Sequence, residues 1–412
     1  MDYNSSFSDP NFLRTFALRK IRNVIYVIDK GNTKDFRTMK NIVNPFVCQG
    51  YSGPDYFCDR EDETKNLISS LENGRNVTLI SPRRLGKTGL IWNAFHQIKT
   101  EKKDAVCIYL DVFSTKNQRE FVNMLASAVF TTALSNGKSL GKKIMNILGA
   151  LRPVVGIDNM TGLPNVTVSV EPSQTESSIK NIFDYLNATN KEIFIAIDEF
   201  QQITEYPESG TEALLRSYIQ FANHVHFVFS GSKQHLMSEM FASPKRPFYQ
   251  STDLMNLMPL QEETYYLFAN RFFERRGGRL SREVFHELYA IFDGYTWYIQ
   301  SVLNRLYESY KKVDSVAQLH GTILSVVESK APQYESLIQF MTSSQFALLK
   351  AIAKESLVKE PTSKDFLKRY ALSSASSVQT ALAALCDKEL VCRLKDGYIV
   401  YDRFLGLWLS RL

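Results

Sequence analysis

The chain has 412 residues, 44% of them hydrophobic and 22% charged, and a formal net charge of +6. This length and balance predict a globular protein of two or three domains rather than a fibrous or broadly disordered chain. No apolar run approaches the ~20 residues of a membrane-spanning helix, and no signal peptide is evident, so we expect a cytoplasmic location and no membrane partner. The five cysteines form no CxxC pair, which predicts free thiols rather than disulfides or a zinc ribbon.

The basic residues are unevenly distributed. The excess of lysine and arginine lies in residues 1–43 and 336–412, whereas the middle of the chain is slightly acidic. This pattern argues against a protein that coats nucleic acid along its whole length. A basic C-terminal segment remains able to contact phosphates.

Residues 1–43 are polar around one short apolar patch, "NVIYVI". We expect a loosely attached, poorly ordered N-terminal extension. Met39 stands directly before the ordered-looking "KNIVNPFVCQGY", so one hypothesis is that the natural protein starts at Met39 and lacks residues 1–38.

Residues 44–260 alternate helical and strand-like segments. The strands are "NVTLIS", "AVCIYLDVF", "EIFIAIDEF" and "VHFVFSGS", and helical patterns such as "GKTGLIWNAFHQIKTE" separate them. Continuous apolar strands between helices predict an α/β core with a parallel sheet covered on both faces. The segment "LRPVVGIDNMTGLPNVTVSV" predicts a hairpin inserted at one edge of that sheet.

The C-terminal third is predicted to contain two further modules. Residues 261–336 include three helical patterns and predict an all-α lid. Residues 337–412 show three helices followed by two strands joined by "KDG", a hairpin turn signal. Three helices and then a hairpin is the order of a winged helix-turn-helix domain.

The segment "SPRRLGKT" matches the P-loop pattern GxxxxGK[ST] except at its first position, where Ser81 replaces glycine. It lies between a strand and a helix, where backbone N–H groups and the helix N-terminus converge on phosphates. We predict that Lys87 contacts the β- and γ-phosphates and acts in catalysis, and that the Thr88 hydroxyl binds Mg²⁺. The predicted nucleotide-binding residues of the loop are Ser81, Pro82, Arg83, Arg84, Leu85, Gly86, Lys87, Thr88 and Gly89. Taken alone, the GKT sequence is equally explained as three common residues that happen to stand at the start of a helix.

Two adjacent carboxylates end the strand "EIFIAIDEF". Asp198 is predicted to hold Mg²⁺ through water, and Glu199 to orient or polarise the attacking water. After the next strand, Ser230 or Ser232 is a candidate sensor of the γ-phosphate, although a serine turn at a strand end explains them equally well. Together with the loop, these acids predict a binding site for ATP and Mg²⁺.

The run "NPFV…GPDYFCDREDET…LISPRRLGKTGLI…IAIDEFQQI…FVFSGS" resembles the archaeal-type ATPase family, within the STAND group of AAA+-related P-loop proteins. The resemblance covers residues 44–412. It implies a molecular switch in which ATP closes the lid on the core and slow hydrolysis or ADP release resets it, and a nucleotide-dependent homo-oligomer is a candidate state. It also implies that Arg60 and Glu63 line the adenine site, and a surface position at the start of a helix explains Arg60 equally well.

Three positions depart from the family pattern. Asp59 replaces a usual glycine, Thr296 replaces the proline of a glycine-x-proline motif, and Gln250 stands where relatives often carry an arginine. These departures leave open a protein that binds ATP without turning it over.

The predicted winged helix leaves two partners open. Its third helix is expected to expose Ser376, Ser377, Gln379 and Thr380, with Arg393 and Lys395 on the wing, and these side chains can meet DNA. No arginine lies on that helix face, so a protein partner is an equal alternative. The rival function from another class is a DNA-binding initiator or transcription regulator in which nucleotide is mainly structural.

Overall fold

A computed structural model describes residues 26–27, 44–135, 152–157 and 164–412. The chain forms two compact units, one holding residues 26–27 and 49–258 and the other residues 44–48 and 259–412. The predicted N-terminal extension and the predicted start at Met39 fall outside the described residues, apart from a two-residue strand at Tyr26–Val27.

The first unit is built on a parallel sheet. Its strands and those of a neighbouring hairpin are β1 (Tyr26–Val27), β2 (Val77–Ile80), β3 (Val106–Asp111), β4 (Arg152–Ile157), β5 (Pro164–Ser169), β6 (Ile193–Asp198), β7 (Val225–Gly231) and β8 (Asp253–Asn256). The order in the sheet is β1-β3-β6-β7-β2-β8, with β1 antiparallel to β3 and the other five strands parallel. The predicted α/β core with a parallel sheet is confirmed.

Helices cover both faces of the sheet. They are α1 (Glu61–Glu72), α2 (Lys87–Glu101), α3 (Gln118–Ser135), α4 (Thr175–Asn187), α5 (Thr211–Ile219) and α6 (Gln234–Ala242). Alternate residues of β3 enter different cores: Ile108 joins the cluster with α3 to α6, and Cys107 joins the cluster with α1 and α2. Strands buried on both faces must be apolar at nearly every position, which is why the sequence pattern identified them.

Two strand predictions need correction. The hairpin β4–β5 does not extend an edge of the main sheet but forms a separate two-stranded antiparallel sheet. It is attached to α3, because Ser127 Oγ accepts from Val168 N at 3.0 Å and Asn123 Oδ1 accepts from Val170 N at 2.8 Å. Strand β8 was not predicted, because the sequence "DLMN" of this mostly exposed edge strand contains no apolar run.

The second unit begins with the three predicted helices, α7 (Glu262–Arg275), α8 (Arg282–Ile291) and α9 (Thr296–Ser309). Two-residue strands β9 (Arg279–Leu280) and β10 (Lys312–Val313) pair in parallel, and a 23-residue helix, α10 (Val316–Ile338), follows. Residues 44–48 pack here rather than on the α/β core, with Phe46 against Phe272, Phe273 and Tyr307. The four-part domain division of the sequence stays a prediction.

The C-terminal part of this unit is the predicted winged helix. It consists of α11 (Ser343–Glu355), α12 (Lys364–Arg369), α13 (Ala375–Asp387), β11 (Val391–Leu394), β12 (Gly397–Val400) and a last helix, α14 (Arg403–Ser410). It packs on the preceding helices through an aromatic cluster in which Phe404 lies 5.1 Å from Tyr298 and 5.3 Å from Phe292, measured between ring centroids. The two parts of the second unit therefore share a core.

Two composition-based predictions can be checked directly. All five cysteines are free, as predicted. Within the described ranges, none of the helices combines the length and the apolar character needed to cross a membrane.

Candidate functional site

The phosphate-binding loop follows β2 and ends where α2 begins. Ser81 is fully buried and its φ lies outside the left-handed region, so this position does not need the glycine of the usual pattern. Gly86 does need its freedom, because its φ is 92°. Arg84 also adopts a positive φ of 74°, which a non-glycine residue rarely does. The strained part of the loop thus lies at Arg84–Gly86, and successive N–H groups in such turns are typical of anion-binding loops.

Lys87 is the first residue of α2 and is largely buried. Its ammonium donates to the carbonyl of Ser81 at 3.0 Å and to that of Pro82 at 3.2 Å. Burial lowers the pKa of Lys87, and the negative charges of Asp198 and Glu199 oppose that shift. An ammonium has three donors, so one N–H remains for a phosphate oxygen.

Asp198 accepts hydrogen bonds at both carboxylate oxygens. Thr88 Oγ1 donates to Oδ2 at 2.9 Å, and Tyr109 OH donates to the same oxygen at 2.6 Å. Ser230 Oγ donates to Oδ1 at 2.6 Å, and the backbone N–H of Glu199 donates to Oδ1 at 3.0 Å. Four donors therefore surround a carboxylate that is only 5% exposed.

The sequence analysis missed Tyr109 as part of this site. It lies in β3, whose residue Asp111 is in register with Asp198 of the adjacent β6. Burial raises the pKa of the Tyr109 hydroxyl, and the charge of Asp198 raises it further, so this group stays a proton donor. In the sequence, the only indication of this role is a tyrosine hydroxyl within an otherwise apolar strand. That feature does not reveal which residue the hydroxyl contacts.

Glu199 follows β6 with a φ of 54°, in the left-handed region. Its Oε2 accepts from Ser232 Oγ at 2.7 Å and from Gln201 Nε2 at 2.6 Å. Ser232 in turn accepts from Arg83 Nε at 3.1 Å. The loop, the strand end after β6 and the strand end after β7 are therefore joined in one hydrogen-bonded network.

Arg60 is buried, and its side chain does not lie on the surface. It donates to the carbonyl of Leu85 at 3.0 Å and forms an ion pair with Glu63 at 2.8 Å. Both Arg60 and Asp59 have positive φ values, 68° and 52°, and aspartate tolerates this conformation, which explains how it replaces the family's usual glycine. Arg60 thus contacts the backbone of the phosphate-binding loop at Leu85. Its predicted place at the adenine stays a prediction.

Gly89 and Asp111 complete the surroundings of the loop. A Cβ added at Gly89 would lie 3.0 Å from Phe57 Cε2, so this glycine permits close packing of the segment before α1. At the end of β3, burial raises the pKa of Asp111 to about 6. Its Oδ1 accepts from the N–H of Phe113 at 3.0 Å.

The side chains present fit Mg²⁺ at Thr88 and Asp198. Thr88 is exposed, its hydroxyl is 2.9 Å from the Asp198 carboxylate, and both groups offer the hard oxygen donors that Mg²⁺ prefers. All four lone-pair directions of Asp198 are engaged, so in this arrangement Asp198 would act on Mg²⁺ through the Thr88 hydroxyl that donates to it. The predicted contact through water would require that water to displace one of the four donors.

Most of the predicted site residues lie together in the first unit. The loop residues 81–89, Asp198, Glu199 and Ser232 form the connected group, with Arg60 contacting the loop at Leu85. The hydroxyl of Ser230 reaches Asp198 rather than Glu199. Tyr109 and Gln201 are the two residues of this network that the sequence analysis did not identify.

Comparison with known proteins identifies two domains. A family described as an ATPase domain predominantly from Archaea matches residues 57–302, and a probable winged helix domain matches residues 332–411. No match was found among curated protein sequences.

Solved structures share this fold at low sequence identity. A Walker-type ATPase of Pyrococcus abyssi is 16% identical, with 89% of this chain and 100% of that chain covered and a TM-score of 0.59. The Aeropyrum pernix ORC2 protein is 15% identical, with 85% and 92% covered and a TM-score of 0.53. The Aeropyrum pernix ORC1 protein in complex with DNA is 13% identical, with 90% and 96% covered and a TM-score of 0.52. The family match covers more than half of the chain, and the chain therefore belongs to the family of ATPase domains found predominantly in Archaea, with a winged helix domain at its C-terminus.

Proposed function

We propose that this protein is a Mg²⁺-dependent ATPase that works as a molecular switch of the STAND kind, with slow hydrolysis. The observation that carries the proposal is the network linking Lys87, Thr88, Asp198, Glu199 and Ser232, which come from three different strand ends. Membership in an ATPase family supports ATP as the nucleotide.

The loop supplies the binding energy for the phosphates. The backbone N–H groups around Gly86 and the N-terminus of α2 favour negative charge, and the free N–H of the Lys87 ammonium can meet a β- or γ-phosphate oxygen. Mg²⁺, when bound, neutralises charge on the β- and γ-phosphates. Thr88 would hold it directly, with Asp198 accepting from the Thr88 hydroxyl.

Glu199 is the proposed general base. Its Oε2 is occupied by two donors, whereas Oε1 receives no hydrogen bond from the part of the chain that the structure describes. A water bound to Oε1 would lose its proton to this oxygen as it attacks the γ-phosphate. Ser232 forms hydrogen bonds with both Glu199 and Arg83, and its proposed role is to sense the γ-phosphate.

The second unit is the proposed output of the switch. The winged helix packs on α9 through Phe404 and Tyr298, and Arg403 pairs with Asp293 at 2.6 Å. Helices that share a core in this way move together, so a change in the lid would carry the winged helix with it. The cytoplasmic location and a nucleotide-dependent homo-oligomer stay predictions.

Two variants test the proposal. Lys87→Ala should weaken ATP binding by at least about tenfold, because it removes the charge at the phosphates. Glu199→Gln should keep ATP binding and lose phosphate release, because the amide cannot accept the proton. Unchanged affinity of Lys87→Ala would refute the site, and normal turnover by Glu199→Gln would refute the assigned base. Wild-type protein that binds ATP and releases no phosphate would favour the alternative of a nucleotide-binding protein without turnover.

The second candidate function is DNA binding, as in an initiator or transcription regulator. The winged helix exposes Ser376, Gln379 and Thr380 on α13 and Arg393 and Lys395 around the wing, whereas Ser377 is half-buried. The Aeropyrum pernix ORC1 protein, which shares the fold, was solved in complex with DNA. These side chains can contact phosphates and base edges.

The salt dependence of DNA affinity distinguishes a DNA partner from a protein partner. If several phosphates are contacted, DNA affinity should fall steeply with salt, with a log–log slope near −0.9 for each phosphate neutralised. A double variant, Arg393→Ala with Lys395→Ala, should flatten that slope by about two. A wild type that binds no DNA at low salt would favour a protein partner instead.

A further inference from the structure

We infer that Gln201 is a positioning residue that orients the carboxylate of Glu199 for catalysis. The inference rests on the proposed function, since it assigns a role to Gln201 only through Glu199. Gln201 is 2% exposed, and its Nε2 donates to Glu199 Oε2 at 2.6 Å. Together with Ser232 Oγ at 2.7 Å, it fixes Oε2 of the carboxylate, whereas Oε1 accepts no hydrogen bond from the described residues.

The backbone around Glu199 and Gln201 favours the contact between their side chains. Glu199 precedes a short 3-10 helix, Phe200–Glu205, and its positive φ turns the chain sharply after β6. Phe200 anchors this helix in the core, with its ring 4.5 Å from that of Phe229. The adjacent Gln201 is therefore held on rigid backbone, and Thr204 Oγ1 donates to its carbonyl at 2.8 Å. A side chain held in this way loses little entropy when it orients its neighbour.

The two ends of the Gln201 amide differ in their contacts. Gln201 Oε1 is buried and has no hydrogen-bond partner among the described residues. A buried unpaired carbonyl oxygen destabilises the fold, and a methionine of similar size would avoid that cost. The Gln201 amide therefore has one hydrogen-bond partner among the described residues, and that partner is the proposed base.

Gly231 makes room for this arrangement. A Cβ added to Gly231 would overlap Gln201 Oε1 and the Met237 side chain. Gly231 ends β7 one residue before Ser232, so the same strand end supplies the second donor to Glu199 and the space for the first. The φ of Gly231 lies outside the left-handed region, so packing and not backbone conformation requires glycine here.

The test compares binding and turnover in the full-length protein. Gln201→Met removes the donor, Gly231→Ala displaces the amide, and Gln202→Met is the matched control, because the Gln202 amide contacts Thr115 and Glu205 instead. We expect the first two variants to bind a fluorescent ATP analogue within about twofold of wild type and to release phosphate at least about tenfold more slowly, since a general base contributes about 10²–10⁴-fold. Gln202→Met should match wild type in both measurements.

A double variant separates positioning from a merely structural effect. If Gln201 acts only through Glu199, adding Gln201→Met to Glu199→Gln should change the residual rate by less than about twofold. Unchanged turnover in Gln201→Met, additive losses in the double variant, or loss of ATP affinity in both Gln201→Met and Gly231→Ala would each overturn the inference. Normal turnover in Glu199→Gln would instead overturn the proposed function on which it rests.

Discussion

The buried guanidinium of Arg60 donates a hydrogen bond of 3.0 Å to the carbonyl oxygen of Leu85, inside the phosphate-binding loop. This bond joins the loop to the residue that directly precedes α1. Glu63 balances the charge at 2.8 Å, and its side chain is 32% exposed, so it stays solvated if Arg60 is lost.

Replacing Arg60 should loosen the loop. Arg60→Ala leaves the carbonyl of the buried Leu85 without its donor and should lower the free energy of unfolding by about 1–3 kcal/mol. ATP affinity should fall with it, because the loop is no longer held in its binding shape. Arg75→Ala is the control: Arg75 pairs with Asp253 on the surface, at 54% exposure of its side chain, and such pairs contribute at most about 1 kcal/mol. Chemical unfolding and nucleotide titration measure both effects, and equal behaviour of the two variants would contradict the assignment.

Tyr109→Phe should show how much one of the hydrogen-bond donors around Asp198 contributes to the free energy of unfolding. The ring stays in place and one hydrogen bond to a charged acceptor is lost, so we expect a destabilisation of about 1.5–3 kcal/mol. The control is Tyr218→Phe, because the Tyr218 ring stacks on Phe183 and its hydroxyl has no partner within the described ranges. Urea unfolding of the two variants should separate them clearly. A loss below about 0.5 kcal/mol in Tyr109→Phe would show that this bond is not formed.

Asp111 should make stability depend on pH. Its pKa is about 6 in the folded protein, against a usual value of 3.8, so the folded state binds more protons than the unfolded state between those two values. Stability contributed by this group therefore falls as pH rises through that window and stays low above it. Asp111→Asn keeps the acceptor for Phe113 N and should raise the free energy of unfolding at pH 7.5 by about 1–3 kcal/mol, with a smaller gain at pH 4.5. Asp184→Asn, at an exposed ion pair with Lys180, should show neither effect.

The two ends of the phosphate-binding loop should respond differently to substitution. Gly86 has a φ of 92°, and a Cβ added there would meet open space, so Gly86→Ala acts through backbone strain alone, about 1–2 kcal/mol, and should weaken ATP binding. Ser81→Gly restores the usual first glycine of the motif and should not tighten ATP binding, because Ser81 already has an ordinary φ. Titration with ATP checks both. A tighter Ser81→Gly variant would show that the serine does impair the loop.

The sequence alone predicted the elements whose signals are local. The apolar strands β2, β3, β6 and β7 and the glycine-lysine-threonine start of α2 are recognisable because buried strands and tight turns demand particular residue types. Helix α10 was missed because Gly321 and Pro332 interrupt its helical pattern. A capping box at Ser315 and Gln318 starts this helix in the structure. The hairpin β4–β5 was found but placed at the wrong position, because a strand pattern does not say which surface it packs on.

The tertiary structure decided which side chains meet. Strand order β3-β6-β7-β2 brings Tyr109, Asp198, Ser230 and Thr88 together from positions up to 142 residues apart in numbering, Thr88 to Ser230. No local pattern encodes that order, because it follows from how all the helices cover both faces of the sheet. Residue types and turn geometry therefore identified the P-loop pattern of this chain. The partners of Asp198, the anchoring of Leu85 by Arg60 and the contact between Gln201 and Glu199 depend instead on long-range packing.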